Sequence, residues 1–128
     1  MHHPDQNIKD NMALPWIPLE REEQLEEIKL KSHESPCIIF KHSTRCSISK
    51  VALQRLENTK EQSSIASYYY LDLLKFRPIS NKIVEVFKIH HESPQVLIID
   101  KGECGYEETH LSIDADDLQE QINKILSS

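Results

Sequence analysis

Two rhythms of apolar and polar positions run along this chain. The stretches "CIIFKH" (Cys37 to His42), "SYYYLDLLK" (Ser67 to Lys75) and "QVLIID" (Gln95 to Asp100) are short and rich in β-branched or aromatic residues. Such runs predict strands, and the unbroken "CIIFKH" predicts one covered on both faces. "YEETHLSI" alternates and is more polar, predicting a further strand. "WIPL" (Trp16 to Leu19) predicts a short strand, which Pro18 confines to an edge or a strand end. Between these runs the spacing turns helical. Glu20 to Ser32 carries a narrow stripe, Leu25 and Ile28, and "HESP" ends it because Pro36 disfavours helix at Ser35. Ile48, Val51, Ala52 and Leu56 predict a helix from near Ser47 to about Glu57. Ile83, Val84 and Phe87 predict another, with Ser80 as its N-cap. Asp114 caps a final helix along Leu118, Ile122, Ile125 and Leu126.

The predicted order is β-α-β-α-β-α-β-β-α. Strands alternating with helices imply a mostly parallel sheet with right-handed crossovers. The closing pair, joined through "KGEC", is too closely connected for a parallel crossover and reads as an antiparallel hairpin. A β-α-β half, a linking helix and a β-β-α half form the thioredoxin pattern. The fold class is therefore α/β: a thioredoxin-like fold with a central mixed sheet flanked by helices. Residues 1–14 are polar and aperiodic and read as a flexible tail; residues 15–128 read as one domain.

Composition narrows the function. A net charge of -6 argues against a nucleic-acid or anionic-membrane surface, both of which call for excess Lys and Arg. No apolar run approaches the ~20 residues of a membrane span. The opening "MHHPDQNIKDN" has neither a basic segment nor an apolar core, so the chain reads as cytoplasmic. Cys37, Cys46 and Cys104 are far apart, and an odd count without an export signal suggests reduced thiols. The histidines and cysteines lack the close pairs from which structural zinc sites are built, so no metal site is expected.

The chemistry lies in "KHSTRCSISK" (Lys41 to Lys50), where a strand gives way to a helix. A helix start exposes unpaired N–H groups and the positive end of the macrodipole, which favour a thiolate there. Arg45 adds a cation, and His42 adds a second when protonated. Ser49, three residues on, shares the helix face and can donate its hydroxyl to the sulfur. A small buried cysteine opening a helix is the plain alternative. Against it, Ser43, Thr44, Arg45 and Ser47 make the turn polar, and open α/β folds build sites where strands end. C-x-x-S is also what remains of a redox C-x-x-C once the second thiol becomes a hydroxyl. Pro94, just before a strand in "HHESPQVLIID", stands where thioredoxin-like proteins carry a cis-proline beside the active cysteine.

Together, "FKHSTRCSIS" and "HHESPQVLIID" resemble the YtxJ-like family of bacillithiol-system redox proteins, monothiol bacilliredoxins with a thioredoxin fold. The resemblance covers about Trp16 to Leu126. It implies that Cys46 accepts a low-molecular-weight thiol from a mixed disulfide, that Ser49 is the non-resolving position, and that Ser93 and Pro94 border the substrate. His42, Ser43, Thr44, Arg45, Ser47 and Ile48 complete the motif; Ser47 replaces a common proline, at a cost in rigidity but not in chemistry. No cofactor is expected to be bound. A small thiol, bacillithiol or glutathione-like, is the implied co-substrate, and S-thiolated client proteins are the implied partners.

Without a second cysteine in the motif, a mixed disulfide on Cys46 has no internal resolver there. Cys37 reads as core filling. Cys104, in "KGECGYEE", reads as an exposed, incidental thiol that resolves Cys46 only if geometry allows. His90 and His91 either border the site or cap a helix end. The tyrosines of "YYY" read as a packed strand rather than a base-stacking platform. Two other functions compete with the monothiol oxidoreductase: a thioredoxin-fold binding or redox-sensing module without turnover, and a dithiol reductase that would require Cys104.

Overall fold

The computed structural model describes residues 14–58, 63 and 65–128. The elements follow the predicted order: β1 (Trp16–Pro18), α1 (Glu23–Lys31), β2 (Cys37–His42), α2 (Ser47–Glu57), β3 (Ser67–Asp72), α3 (Arg77–Phe87), β4 (Gln95–Asp100), β5 (Glu103–Thr109) and α4 (Ala115–Leu126). A short 3-10 turn, His110–Ser112, links β5 to α4. The strands form one mixed sheet in the order β1-β3-β2-β4-β5. β1 and β2 each pair with β3 in parallel, whereas β4 runs antiparallel to both β2 and β5.

Chain direction and handedness decide which helix covers which face. The β1-α1-β2 and β2-α2-β3 crossovers step across the sheet in opposite directions, so right-handed connections put α1 and α2 on opposite faces. The buried side chains agree. Ile38, Phe40, Tyr68, Val96 and Ile98 pack with Ala52 and Leu56 of α2 and Leu118 and Ile122 of α4. On the other face, Cys37, Ile39, Leu71, Leu97 and Ile99 pack with Leu25 and Ile28 of α1 and Ile83 and Phe87 of α3. The "YYY" tyrosines divide between the faces as a packed strand does, Tyr68 on one and Tyr69 on the other.

Several boundaries differ from the expectation. Of the expected tail, residues 1–13 lie outside the described residues, but Leu14 is buried in the core and its N–H donates to Glu57 Oε2 at 3.1 Å. α1 starts at Glu23 rather than Glu20. The side chain of Gln24 folds back to accept from the N–H groups of Glu20 and Arg21 and to donate to Pro18 O, shaping a turn before the helix. Ser80 is not an N-cap: α3 begins three residues earlier, Pro78 lies in its first turn, and Ser80 is fully buried within it. The hairpin loop is only Lys101 and Gly102, both at positive φ (53° and 82°), as a tight primed turn demands. β5 therefore begins at Glu103, ends at Thr109 and includes Cys104.

The most consequential difference concerns α2. Its buried face carries Ser49, Ala52 and Leu56, whereas Ile48 and Val51 are 41% and 39% exposed. Of the expected stripe, Ala52 and Leu56 face the core, but Ile48 and Val51 do not, because a serine occupies the inward position of the first turn. This difference has a stability consequence. Leu56→Ala, emptying a fully buried site, is expected to cost about 2–5 kcal/mol. Val51→Ala should change stability by less than about 0.5 kcal/mol. Urea unfolding of the two variants checks the assignment; equal losses would contradict it.

Candidate active site

The turn after β2 is held by its own backbone. Cys46 N donates to Ser43 O at 3.1 Å, and Lys50 N donates to Cys46 O at 3.1 Å. Cys46 is thus the N-cap of α2, with extended backbone (φ -97°, ψ 124°) and no capping bond from its side chain. The residue is half-buried, and it sits where the free N–H groups of the first helical turn gather. Thr44, Arg45, Ser47 and Ile48 are exposed around it, and Ser43 is half-buried.

Ser49 behaves differently from the expectation. It is fully buried; its Oγ accepts the Ser43 N–H at 2.9 Å and lies 2.7 Å from His42 Nδ1. The hydroxyl is committed to the strand end rather than to the cysteine sulfur. His42 is almost fully buried, stacks on Phe40 with ring centroids 5.5 Å apart, and has Tyr70 at the same distance. Burial pushes its imidazole below the usual range, with Asp72 pulling partly the other way. At neutral pH His42 is therefore uncharged and supplies no second cation. A neutral ring with its proton on Nε2 accepts the Ser49 hydroxyl at Nδ1, which satisfies both groups.

Pro94 approaches from the neighbouring strand. The Lys41–Gln95 pairing brings Pro94 to the His42 end of β2, and the Ser93–Pro94 bond is cis. Pro94 O accepts the His110 N–H at 3.1 Å, and the Ser93 hydroxyl oxygen is buried without a partner among the described residues. Cys46 and the Ser93–Pro94 pair thus stand at one end of the sheet. β3 lies on one side of β2 there and β4 on the other, the switch point at which open sheets form a crevice.

The other thiols are at the opposite end. Cys37 pairs with Ile99, and Ile99 with Cys104. Cys104 is half-buried in β5, not exposed in a turn, and its Sγ donates to Tyr106 O at 3.3 Å. From Cys37 to His42 the strand rises roughly 16 Å, far beyond the ~4.4–6.8 Å Cα separation of a disulfide. Cys104 therefore cannot resolve Cys46. Burial pushes the Cys37 thiol up to about 11, with Lys31 opposing, and raises the Cys104 thiol as well.

One group escaped the sequence reading altogether. Lys41, near the end of the β-rich run "CIIFKH", is fully buried. Its Nζ lies 2.8 Å from His91 Nδ1 and donates to Gln95 Oε1 at 3.1 Å. Gln95 Nε2 in turn donates to His90 O at 3.1 Å and to Glu107 Oε2 at 2.8 Å. Burial lowers the Lys41 ammonium to about 8, Glu92 opposing and Arg77 adding to the fall. A lysine directly after "CIIF" and a glutamine directly after Pro94 were the available signals.

Comparison with known proteins gives the family and the fold. The family model for the monothiol bacilliredoxin BrxC matches residues 17–118. A solved structure described as a candidate oxidoreductase with a thioredoxin fold superposes with a TM-score of 0.67 at 26% identity, covering 84% of this chain and 93% of that one. Thioredoxin from Fasciola hepatica gives 0.66 at 12% identity, covering 84% and 97%. Malassezia sympodialis thioredoxin gives 0.65 at 14%, covering 84% and 88%. At such low identities the two thioredoxins show the fold alone.

Two outcomes follow from the side-chain environments. Limiting iodoacetamide at neutral pH is expected to label Cys46 ahead of Cys37 and Cys104, since burial keeps the latter two as thiols. Peptide mapping reads the order, and first label on Cys37 or Cys104 would rule out Cys46 as the reactive thiol. The second outcome concerns Lys41. Below pH 8 both folded and unfolded chains hold its proton, and the cost of burying the charge is in force. Between about 8 and the usual 10.5 only the unfolded chain holds it, so this group's contribution makes stability rise with pH. Relative to Lys41→Met, the native protein should gain about 3 kcal/mol across that interval. Denaturant unfolding of both proteins at the two ends measures the difference, and a constant difference would contradict a buried ammonium.

Proposed function

Because the chain belongs to the monothiol bacilliredoxin family, we propose that it is an oxidoreductase that removes low-molecular-weight thiols from protein mixed disulfides through Cys46. Family and fold give the chain a thiol redox role. The observation that carries the finer reading is the pairing of Cys46 at the α2 N-cap with a buried serine at the resolving position, while both other thiols lie at the far end of the sheet.

In this reading the Cys46 thiolate attacks the small-thiol sulfur of a client's mixed disulfide. The S–S bond to the client's sulfur breaks, the client leaves as a thiolate that takes up a proton, and the small thiol is now disulfide-bonded to Cys46. No second sulfur is within reach, so an external small thiolate attacks that adduct, regenerating the Cys46 thiolate and releasing a small-molecule disulfide. Each step exchanges one disulfide for another, and the electrons come from the small thiol. Bacillithiol or a glutathione-like thiol fits as co-substrate, with no bound cofactor, and the cycle suits a reducing cytosol. Protein clients suit the surroundings: Ile48 and Val51 present exposed apolar surface on α2 next to Cys46, and Leu111 lies along the same helix, its carbonyl held by Arg55.

Ser49 gives the test. With an oxidised small thiol, the native chain is expected to form an adduct on Cys46 that persists until free thiol is added, and Cys46→Ser should form none. In Ser49→Cys the adduct should give way to an internal disulfide, because an adjacent thiol attacks at high effective concentration. Intact-mass spectrometry distinguishes a retained adduct from a loss of two hydrogens. If the native chain sheds its adduct without added thiol, the monothiol reading is wrong.

A further inference from the structure

We propose that Lys41 is a positioning residue of the redox site: it fixes the ring of His91 and thereby holds the Ser93–Pro94 segment opposite Cys46. The proposal rests on the reading of Cys46 as the exchanging thiol. A protonated Nζ can only donate, so His91 Nδ1, 2.8 Å away, must accept. A neutral imidazole that accepts at Nδ1 carries its proton on Nε2. His91 is exposed while its Nδ1 edge meets a fully buried ammonium, so the Nε2–H edge faces outward at the end of the sheet that carries Cys46. The Ser80 hydroxyl, 3.3 Å from the same Nδ1, steadies the inner edge.

The segment is tied on both sides. Lys41 grips His91, and Gln95 holds the His90 carbonyl while accepting from Lys41 itself. Ser93 and Pro94 lie between these anchors, and the strand that supplies Lys41 leads into the Cys46 turn five residues later. One ammonium therefore couples the segment before β4 to the turn after β2. A purely structural role fits poorly. No carboxylate among the described residues forms an ion pair with Lys41, and a buried cation with neutral partners is less favourable than an apolar side chain of similar length. The charged groups that act on the pair are Arg77, Glu92 and Glu107.

The test combines ring spectroscopy with kinetics on the full chain. Long-range proton–nitrogen spectra of the labelled native protein should show His91 as the Nε2–H tautomer, titrating below the usual range because its inner edge is desolvated and faces the Lys41 charge. In Lys41→Met that preference should be lost and the titration should move up. Transfer of a small-thiol cap from a mixed-disulfide peptide to Cys46, in a single turnover, should slow roughly ten- to a hundredfold in Lys41→Met and in His91→Gln. The double variant should be no slower than either single one, since both act through one contact. A native His91 protonated at Nδ1, an unchanged rate in Lys41→Met, or additive slowing would overturn the proposal. Should Lys41→Met fail to fold, the native tautomer and the His91→Gln rate still decide it. Should native Cys46 accept no cap at all, the exchange function fails, and the tautomer alone then tells whether Lys41 fixes the ring.

Discussion

The central strand β2 has no exposed residue from Cys37 to His42, yet it ends in a lysine and a histidine. Water cannot satisfy those side chains, so the protein must, and an unpaired polar group there would be costly. The pleat sends them to opposite faces. His42 turns to the α2 side and finds Ser49; Lys41 turns to the α3 side and finds His91 and Gln95. Each of these partnerships fixes one wall of the crevice at the strand end. The first secures the turn bearing Cys46, and the second secures the segment bearing Pro94.

The same arrangement gives the site its monothiol character. The Ser49 hydroxyl bridges a backbone N–H and an imidazole, roles that a neutral oxygen fills well and a larger, weakly bonding sulfur would fill poorly. Sheet register does the rest, because it carries Cys37 and Cys104 to the opposite end, where burial keeps both as thiols. A single thiol is left at the crevice, and that isolation is what supports the proposed chemistry, in which an adduct waits for an outside thiol.

Burying serine rather than isoleucine on the inner face of α2 also leaves Ile48 and Val51 in solvent beside the thiol. In a chain of net charge -6, an apolar flank near Cys46 suits the protein clients of the proposed exchange without broad charge attraction. Membership of the bacilliredoxin family and the thioredoxin-like superposition give the chain a thiol redox role.

What the sequence determined by itself was local and periodic. Continuous apolar runs marked the strands, their alternation with helical spacing set the order, and the short hairpin connection forced β4 and β5 antiparallel. The motif around Cys46 and the proline before β4 were readable because turn chemistry and helix starts are written in neighbouring residues. Tertiary structure alone decided which side chains those elements share. Ile48 and Val51 satisfied helical spacing as well as the true inner face did, and only packing against the sheet chose between them. Ser49 could have faced the sulfur or the histidine, and burial of His42 claimed it. Lys41 read simply as part of a β-rich strand, because its partners lie 50 and 54 residues away and meet it only when β4 pairs with β2. Cys104 looked exposed from its turn-like neighbours, and the two-residue loop drew it into β5. Contacts between residues distant in the chain depend on register, and register is fixed by the whole sheet at once.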